Sequence, residues 1–194
     1  MKIYTKERRL KMREWVFKMR GGLWTLLFVI ILFMAQESSL EKIFASLIII
    51  LIGQLWRCWS AGFIGLYRGE NVKALKLATT GPYALMRNPL YFGNFLIGLG
   101  WSIIAGLNAV IIFIVSFYVL YVLVIIPHEE DFLRSKFGHE YEKYCERVKR
   151  FYPLSLKFED LKGNFDGKIL MRSEIHTIIS TVIGTIIIIA VCCG

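Results

Sequence analysis

Thr80-Gly81-Pro82-Tyr83-Ala84-Leu85-Met86-Arg87-Asn88-Pro89-Leu90-Tyr91-Phe92-Gly93 carries the chain from a polar connector straight into a long apolar run. Gly81-Pro82 breaks any helix arriving there, and Asn88-Pro89 starts a new one, because proline suits a first helical turn. The apolar run covers residues 89–106, and a second covers 108–126, joined by the turn Gly106-Leu107-Asn108. A turn that short is no domain, so the two runs read as a helical hairpin whose ends near 88 and 127 return to one side of a membrane. At the second end waits another polar cluster: His128-Glu129-Glu130-Asp131, then Phe137-Gly138, Tyr141, Tyr144, Val148 and Pro153. Charge placed at the mouth of a bilayer helix is costly and calls for a function. The hairpin brings the two clusters together.

Composition agrees with a membrane. Hydrophobic residues make up 56% of the 194, and the mean hydropathy is +0.53. Both exclude an ordinary soluble domain. Five segments are apolar enough to span or nearly span: about 21–35, 40–64, 89–106, 108–126 and 175–193. A span needs roughly 20 apolar residues, with latitude for tilt. The fold class expected is therefore all-α, a polytopic integral membrane protein with about five transmembrane helices.

The net charge of +9 does not point to nucleic acid, because of where the charge sits. Residues 1–20 hold eight Lys/Arg against two Glu, and 65–88 hold four against one, while 127–174 balance ten against ten. With the N-terminus inside, 22 of the 24 Lys/Arg fall on the cytoplasmic side, leaving Lys42 outside and Arg57 within a helix. The positive-inside rule then expects a cytoplasmic N-terminus and active site and an external C-terminus.

Along the chain, 1–65 reads as a basic tail and transmembrane hairpin, with Ser39 capping its second helix. Residues 66–153 hold the connector, the second hairpin and two short helices, and 154–194 hold a linker and a last span. From Pro127 a separate amphipathic helix is expected, stopped at Gly138. A second follows from His139, with Tyr141, Tyr144, Cys145 and Val148 on one face and able to lie aromatic-side down across the mouth. Ala61, Gly65 and Gly69, at four-residue steps, read as a packing stripe. Arg57 reads equally as a snorkelling cation or a site residue. Cys58, Cys145, Cys192 and Cys193 form no C-x-x-C pair, so neither a zinc site nor a disulfide is expected. Gly98-Leu99-Gly100 lies inside a span and follows no strand, so it is no dinucleotide fingerprint.

The two clusters resemble the signature of the integral-membrane methyltransferases related to isoprenylcysteine carboxyl methyltransferase and the phospholipid methyltransferases. In that family an R-H-P-x-Y segment precedes a helical hairpin, and a double glutamate opens a helix ending in F-G-x-x-Y-x-x-Y. The likeness covers about residues 68–153, with Asn88 in place of the family histidine. Some eukaryotic members also carry an arginine shortly before the acidic pair, where this chain has uncharged Leu123-Val124-Ile125-Ile126-Pro127.

The resemblance implies S-adenosylmethionine as cofactor, and with no metal-ligand cluster in the sequence no metal is expected. It implies cofactor contacts from Leu75, Lys76, Leu77, Ala78, Gly81, Tyr83, Arg87, Asn88, Tyr91 and Glu129, and catalytic roles for Arg87 and Glu130. The residue chemistry is consistent with this. Glu129 or Glu130 can meet a ribose diol or an ammonium, Arg87 and Asn88 can donate to a carboxylate, and Tyr83 and Tyr91 can wall an adenine.

The acceptor expected is lipophilic, foremost the α-carboxylate of a C-terminal S-prenylated cysteine, which would enter sideways from lipid. A carboxylate is already ionised at neutral pH and needs no general base, whereas the amine of phosphatidylethanolamine must first lose a proton. Phospholipid N-methylation is the alternative within the family. An NADPH-dependent sterol-type reductase, which shares an R-x-P-x-Y element, is the alternative outside it.

Overall fold

A computed structural model describes residues 11–64, 76–151, 161–163 and 165–193. Leu75, the connector residues Arg68, Glu70 and Asn71, the stripe glycines Gly65 and Gly69, and Pro153 lie outside the described residues. All five apolar runs are helices, and no strand occurs among the described residues.

The chain enters through α1 (Lys11–Lys18), which is bent by 65° against α2 (Arg20–Phe33). The break comes where the sequence changes from polar to apolar, so α1 can lie along a surface while α2 turns inward. Arg20 secures the corner: its guanidinium donates to the Phe17 carbonyl at 2.8 Å and lies 4.1 Å from the centre of the Phe17 ring. After residues 34–39 comes α3 (Leu40–Ile64). Its third amide donates to Ser39 Oγ at 3.4 Å, the capping role expected of that serine.

Two close neighbours, α3 and α5 (Pro89–Ala105), form the centre of the protein. Their contact is made of absent side chains. A Cβ built on Gly53 would sit 2.9 Å from the Gly93 carbonyl oxygen, and one on Gly93 the same distance from the Gly53 oxygen. Small residues let the two backbones approach, the usual device where lipid removes the hydrophobic drive for association. At 17 residues α5 is short for a span, but it is buried by its neighbours along much of its length.

Gly106 alone separates α5 from α6 (Leu107–Phe137), at φ 118°, a conformation that side chains disfavour. Here the expectation of a separate helix from Pro127 is corrected: α6 runs on through the proline without a break. The eight residues Tyr118–Ile125 before it are wound as a wide π-helix. Proline removes a backbone donor and crowds the preceding turn, and a widened turn accommodates both. The helix ends at Gly138, φ 49°, the stop expected there.

The short α4 (Pro82–Leu85) precedes α5, and α7 (His139–Arg147) follows α6. The apolar face of α7 does not point at a bilayer. Tyr141, Tyr144 and Val148 are buried with Leu77 against Leu133 and Phe137, so the connector takes the place of lipid. The final helix α8 (Gly167–Cys193) starts inside the stretch expected to be linker. Its extra turns carry Glu174, which is fully buried.

Two backbone bonds close the end of the bundle remote from the clusters: Gln36 N–H to the Ala105 carbonyl at 3.1 Å and Ser38 N–H to the Cys192 carbonyl at 3.2 Å. By length and composition α3, α6 and residues Ser173–Cys193 of α8 can cross a membrane, and the α1–α2 pair makes a fourth if counted as one span.

A polar mouth above an apolar cavity

The proline-restricted turn at Arg87-Asn88-Pro89 is fastened from the C-terminal side: Arg87 N–H donates to the Lys149 carbonyl at 2.9 Å. The Arg87 guanidinium then donates to the carbonyls of Cys145 at 3.3 Å and Val148 at 3.1 Å, the free acceptors at the end of α7. A cation at a helix C-terminus is favourable on dipole grounds too. Its other edge meets Glu130 Oε1 at 3.2 Å.

Glu130 is only 4% exposed and is held from three sides. Arg150 donates to it through Nε and Nη2, the shortest bond being 2.7 Å, and Asn88 Nδ2 donates at 3.2 Å. Those bonds to the carboxylate also hold the Arg150 guanidinium above its ordinary pKa. Burial raises the Tyr144 hydroxyl, which donates to the Tyr83 carbonyl at 2.6 Å and ties α7 to α4. Glu129, one residue earlier, faces another way and accepts from Tyr91 Oη at 2.7 Å.

Below this mouth lies a cavity of about 1310 Å³. It is larger than the roughly 300–1,000 Å³ of a typical small-molecule site. Of the expected site residues, Lys76, Leu77, Ala78, Tyr83, Arg87, Asn88, Tyr91 and Glu129 line it. Gly81 does not; its positive φ of 63° and the Phe63 ring packed on it shape the start of α4. Glu130 does not border the cavity either, and its carboxylate serves Arg87, Arg150 and Asn88. Leu75 is outside the described residues.

One helical turn deeper the wall is still polar, from Arg57, Asn94, Tyr121 and Thr177. Arg57 donates to Glu174 through Nε at 3.2 Å and Nη2 at 3.1 Å, to Thr177, and through Nη1 to Asn94 Oδ1. Deeper again, Trp24, Phe28, Ile97, Trp101, Ile183 and Ile187 enclose an apolar end.

Sequence reading missed Arg150, Asn94, Thr177 and Glu174. Signals existed. A charge at position 57 inside a span needs a partner, and Glu174 is the last acid before the final span. Thr177, Thr181 and Thr185 recur at four-residue steps on α8. Thr181 donates to Gln54 at 2.9 Å and Thr185 accepts from Trp101 Nε1 at 3.0 Å, so this face stitches α8 to α3 and α5.

The fold and site define a polytopic helical membrane protein whose paired polar clusters cap one deep cavity. A profile of the family "Phospholipid methyltransferase" matches residues 41–140, more than half of the chain, and the chain belongs to that family. It is 36% identical over 117 residues to a probable protein-S-isoprenylcysteine O-methyltransferase of Oryza sativa subsp. indica, covering 54% of this chain and 58% of that protein. It is 30% identical over 145 residues to the nickel-cobalt-cadmium resistance protein NccN of Alcaligenes xylosoxydans xylosoxydans, covering 69% of this chain and 64% of the relative. With the delta(14)-sterol reductase LBR of Gallus gallus it shares 33% identity over 76 residues, which is 37% of this chain but 12% of that protein. The chain thus spans less than two thirds of the length of these relatives. No solved structure matches it.

Proposed function

We propose that the protein methylates the α-carboxylate of a C-terminal S-prenylated cysteine, with S-adenosylmethionine as donor and the mouth facing the cytoplasm. The observation that carries this reading is a cavity that is polar at one end and apolar at the other. Such a space suits a polar cofactor above and a lipid chain below. S-Adenosylmethionine would supply a methyl group made electrophilic by a sulfonium cation.

The residues at the mouth fit it. Glu129 offers a carboxylate to a diol or an ammonium, oriented by Tyr91. Tyr83 and Leu77 give flat and apolar walls beside Lys76 and Ala78. Asn88 and Arg87 stand at the cavity edge as donors, and Glu130 acts through them as a positioning residue. Thr25 on α2 and Ser180, Ile183 and Ile187 on α8 are exposed residues that border the cavity, consistent with sideways entry of a prenyl chain from lipid. A water-poor pocket favours attack by a carboxylate anion on a cationic donor, because charge is lost in that step, and holding the two in line contributes most of the rest.

Phospholipid N-methylation has the family description in its favour, but its ammonium needs a base. His128 does not border the cavity and packs against the Phe17 ring, with centroids 5.3 Å apart, and the histidine that does line it, His176, lies on α8 away from Glu129 and Arg87 in sequence. The test is thermal denaturation of the detergent-solubilised protein with S-adenosylhomocysteine or NADPH. Stabilisation by S-adenosylhomocysteine alone is the expected result; stabilisation by NADPH alone would overturn the methyltransferase reading in favour of a reductase.

A further inference from the structure

Asn94 is one of four polar side chains, with Arg57, Tyr121 and Thr177, that line the cavity where it changes character. Tyr91, Asn94, Ile97 and Trp101 of α5 all line the cavity, and each three-residue step along a helix advances about 4.5 Å. Tyr91 belongs to the mouth through Glu129, and on α5 the lining is apolar from Ile97 to Trp101. An amphiphile whose chain fills the deep end, beneath a cofactor held at the mouth, sets its head at the level of Asn94.

We propose that Asn94 is the hydrogen-bond donor that seats the carboxylate of the acceptor, with Arg57 as the positioning residue that aims it. The inference rests on the methyltransferase reading above and names the recognition group of that site. Arg57 is matched in charge by Glu174 and anchored to it from two nitrogens, so the pair is fixed and close to neutral as a unit. Arginine carries donors and no acceptor. The Asn94 amide must therefore turn its oxygen to Arg57, as it does. What it has left for an occupant of the cavity is N–H. A carboxylate oxygen accepts from such a group; an ammonium, with only donors of its own, gains nothing from it. The geometry thus favours an anionic head over an amine.

The bland role, an asparagine that merely satisfies Arg57, makes a different prediction. Asn94→Asp keeps the size of the side chain and an oxygen for Arg57 while replacing the remaining amide donor with an acceptor. Asn94→Ala removes the donor without adding charge. Methyl transfer to S-farnesylcysteine is measured in the full-length protein, together with S-adenosylhomocysteine affinity. In both variants the KM for S-farnesylcysteine should rise at least tenfold, more in Asn94→Asp, with S-adenosylhomocysteine affinity within twofold of wild type. Wild-type transfer with an unchanged acceptor KM in the folded Asp variant would overturn the seat alone. If Asn94→Ala fails to fold, Asn94→Asp decides. Absence of transfer in the wild type, with S-adenosylhomocysteine bound, would overturn the acceptor class and the seat together.

Discussion

Glu174→Gln tests whether the last helix is held as the structure shows. The Glu174 carboxylate is fully buried and Arg57 is 4% exposed, with guanidinium and carboxylate joined at 3.1 and 3.2 Å. The substitution keeps the shape but leaves the arginine charge uncompensated. Breaking a buried pair from one side costs about 3–5 kcal/mol, because the remaining charge has lost its partner and has no water. At roughly 2–4 °C per kcal/mol for a chain of this size, the denaturation midpoint falls by about 6–20 °C. The assay is thermal unfolding in detergent, with Asp131→Asn as control. Its partner pair, Arg13 with Asp131, has side chains 33% and 50% exposed, and such surface pairs contribute about 0.2–1 kcal/mol. The double variant Arg57→Met/Glu174→Leu should recover most of the lost stability, since no charge is then stranded, while its affinity for the acceptor stays low. A Glu174→Gln midpoint no lower than that of Asp131→Asn would refute the reasoning.

Three further outcomes follow from the mouth. Glu129→Gln removes a charge that can meet the cofactor but preserves an acceptor for Tyr91; loss of one charged hydrogen bond, about 1.5–3 kcal/mol, should weaken S-adenosylhomocysteine binding by roughly 10–150-fold, measured by calorimetry on folded protein. Arg87→Lys should cut catalytic efficiency at least several-fold with membrane insertion unchanged, because an ammonium cannot span Glu130 and two carbonyls as the planar fork does; full activity at both limiting and saturating cofactor would show Arg87 to be a simple anchor. Tyr83→Ala should raise the apparent constant for cofactor more than that for acceptor, and the reverse order in steady-state kinetics would move Tyr83 to the acceptor side.

Helix placement was legible because each apolar run is bounded by strong punctuation. Gly81-Pro82, Asn88-Pro89, Gly106 and Gly138 all mark ends in the structure, and Ser39 is a cap. Pro127 misled for a physical reason: proline is disfavoured inside an α-helix, yet the π-wound turns before it absorb the cost. The packing of α3 on α5 was harder to read. Gly53 and Gly93 lie on different helices, and nothing in one sequence says which glycines will face each other. In the site, the clusters themselves could be found because motif spacing survives in sequence. The Arg57–Glu174 pair joins residues 117 apart, and its meaning appears only once α8 is docked. Adjacent glutamates separated in the structure as well: one helical step turns Glu129 into the cavity and Glu130 into the arginines.

The measurement that tests the central claim most directly is transfer of labelled methyl from S-adenosylmethionine by the purified, lipid-reconstituted protein. It is offered S-farnesylcysteine, phosphatidylethanolamine and a quinol in parallel. The account predicts label in a base-labile methyl ester of S-farnesylcysteine and little in the other two. Label in phosphatidylethanolamine alone, or no label in any acceptor despite bound S-adenosylmethionine, would contradict it.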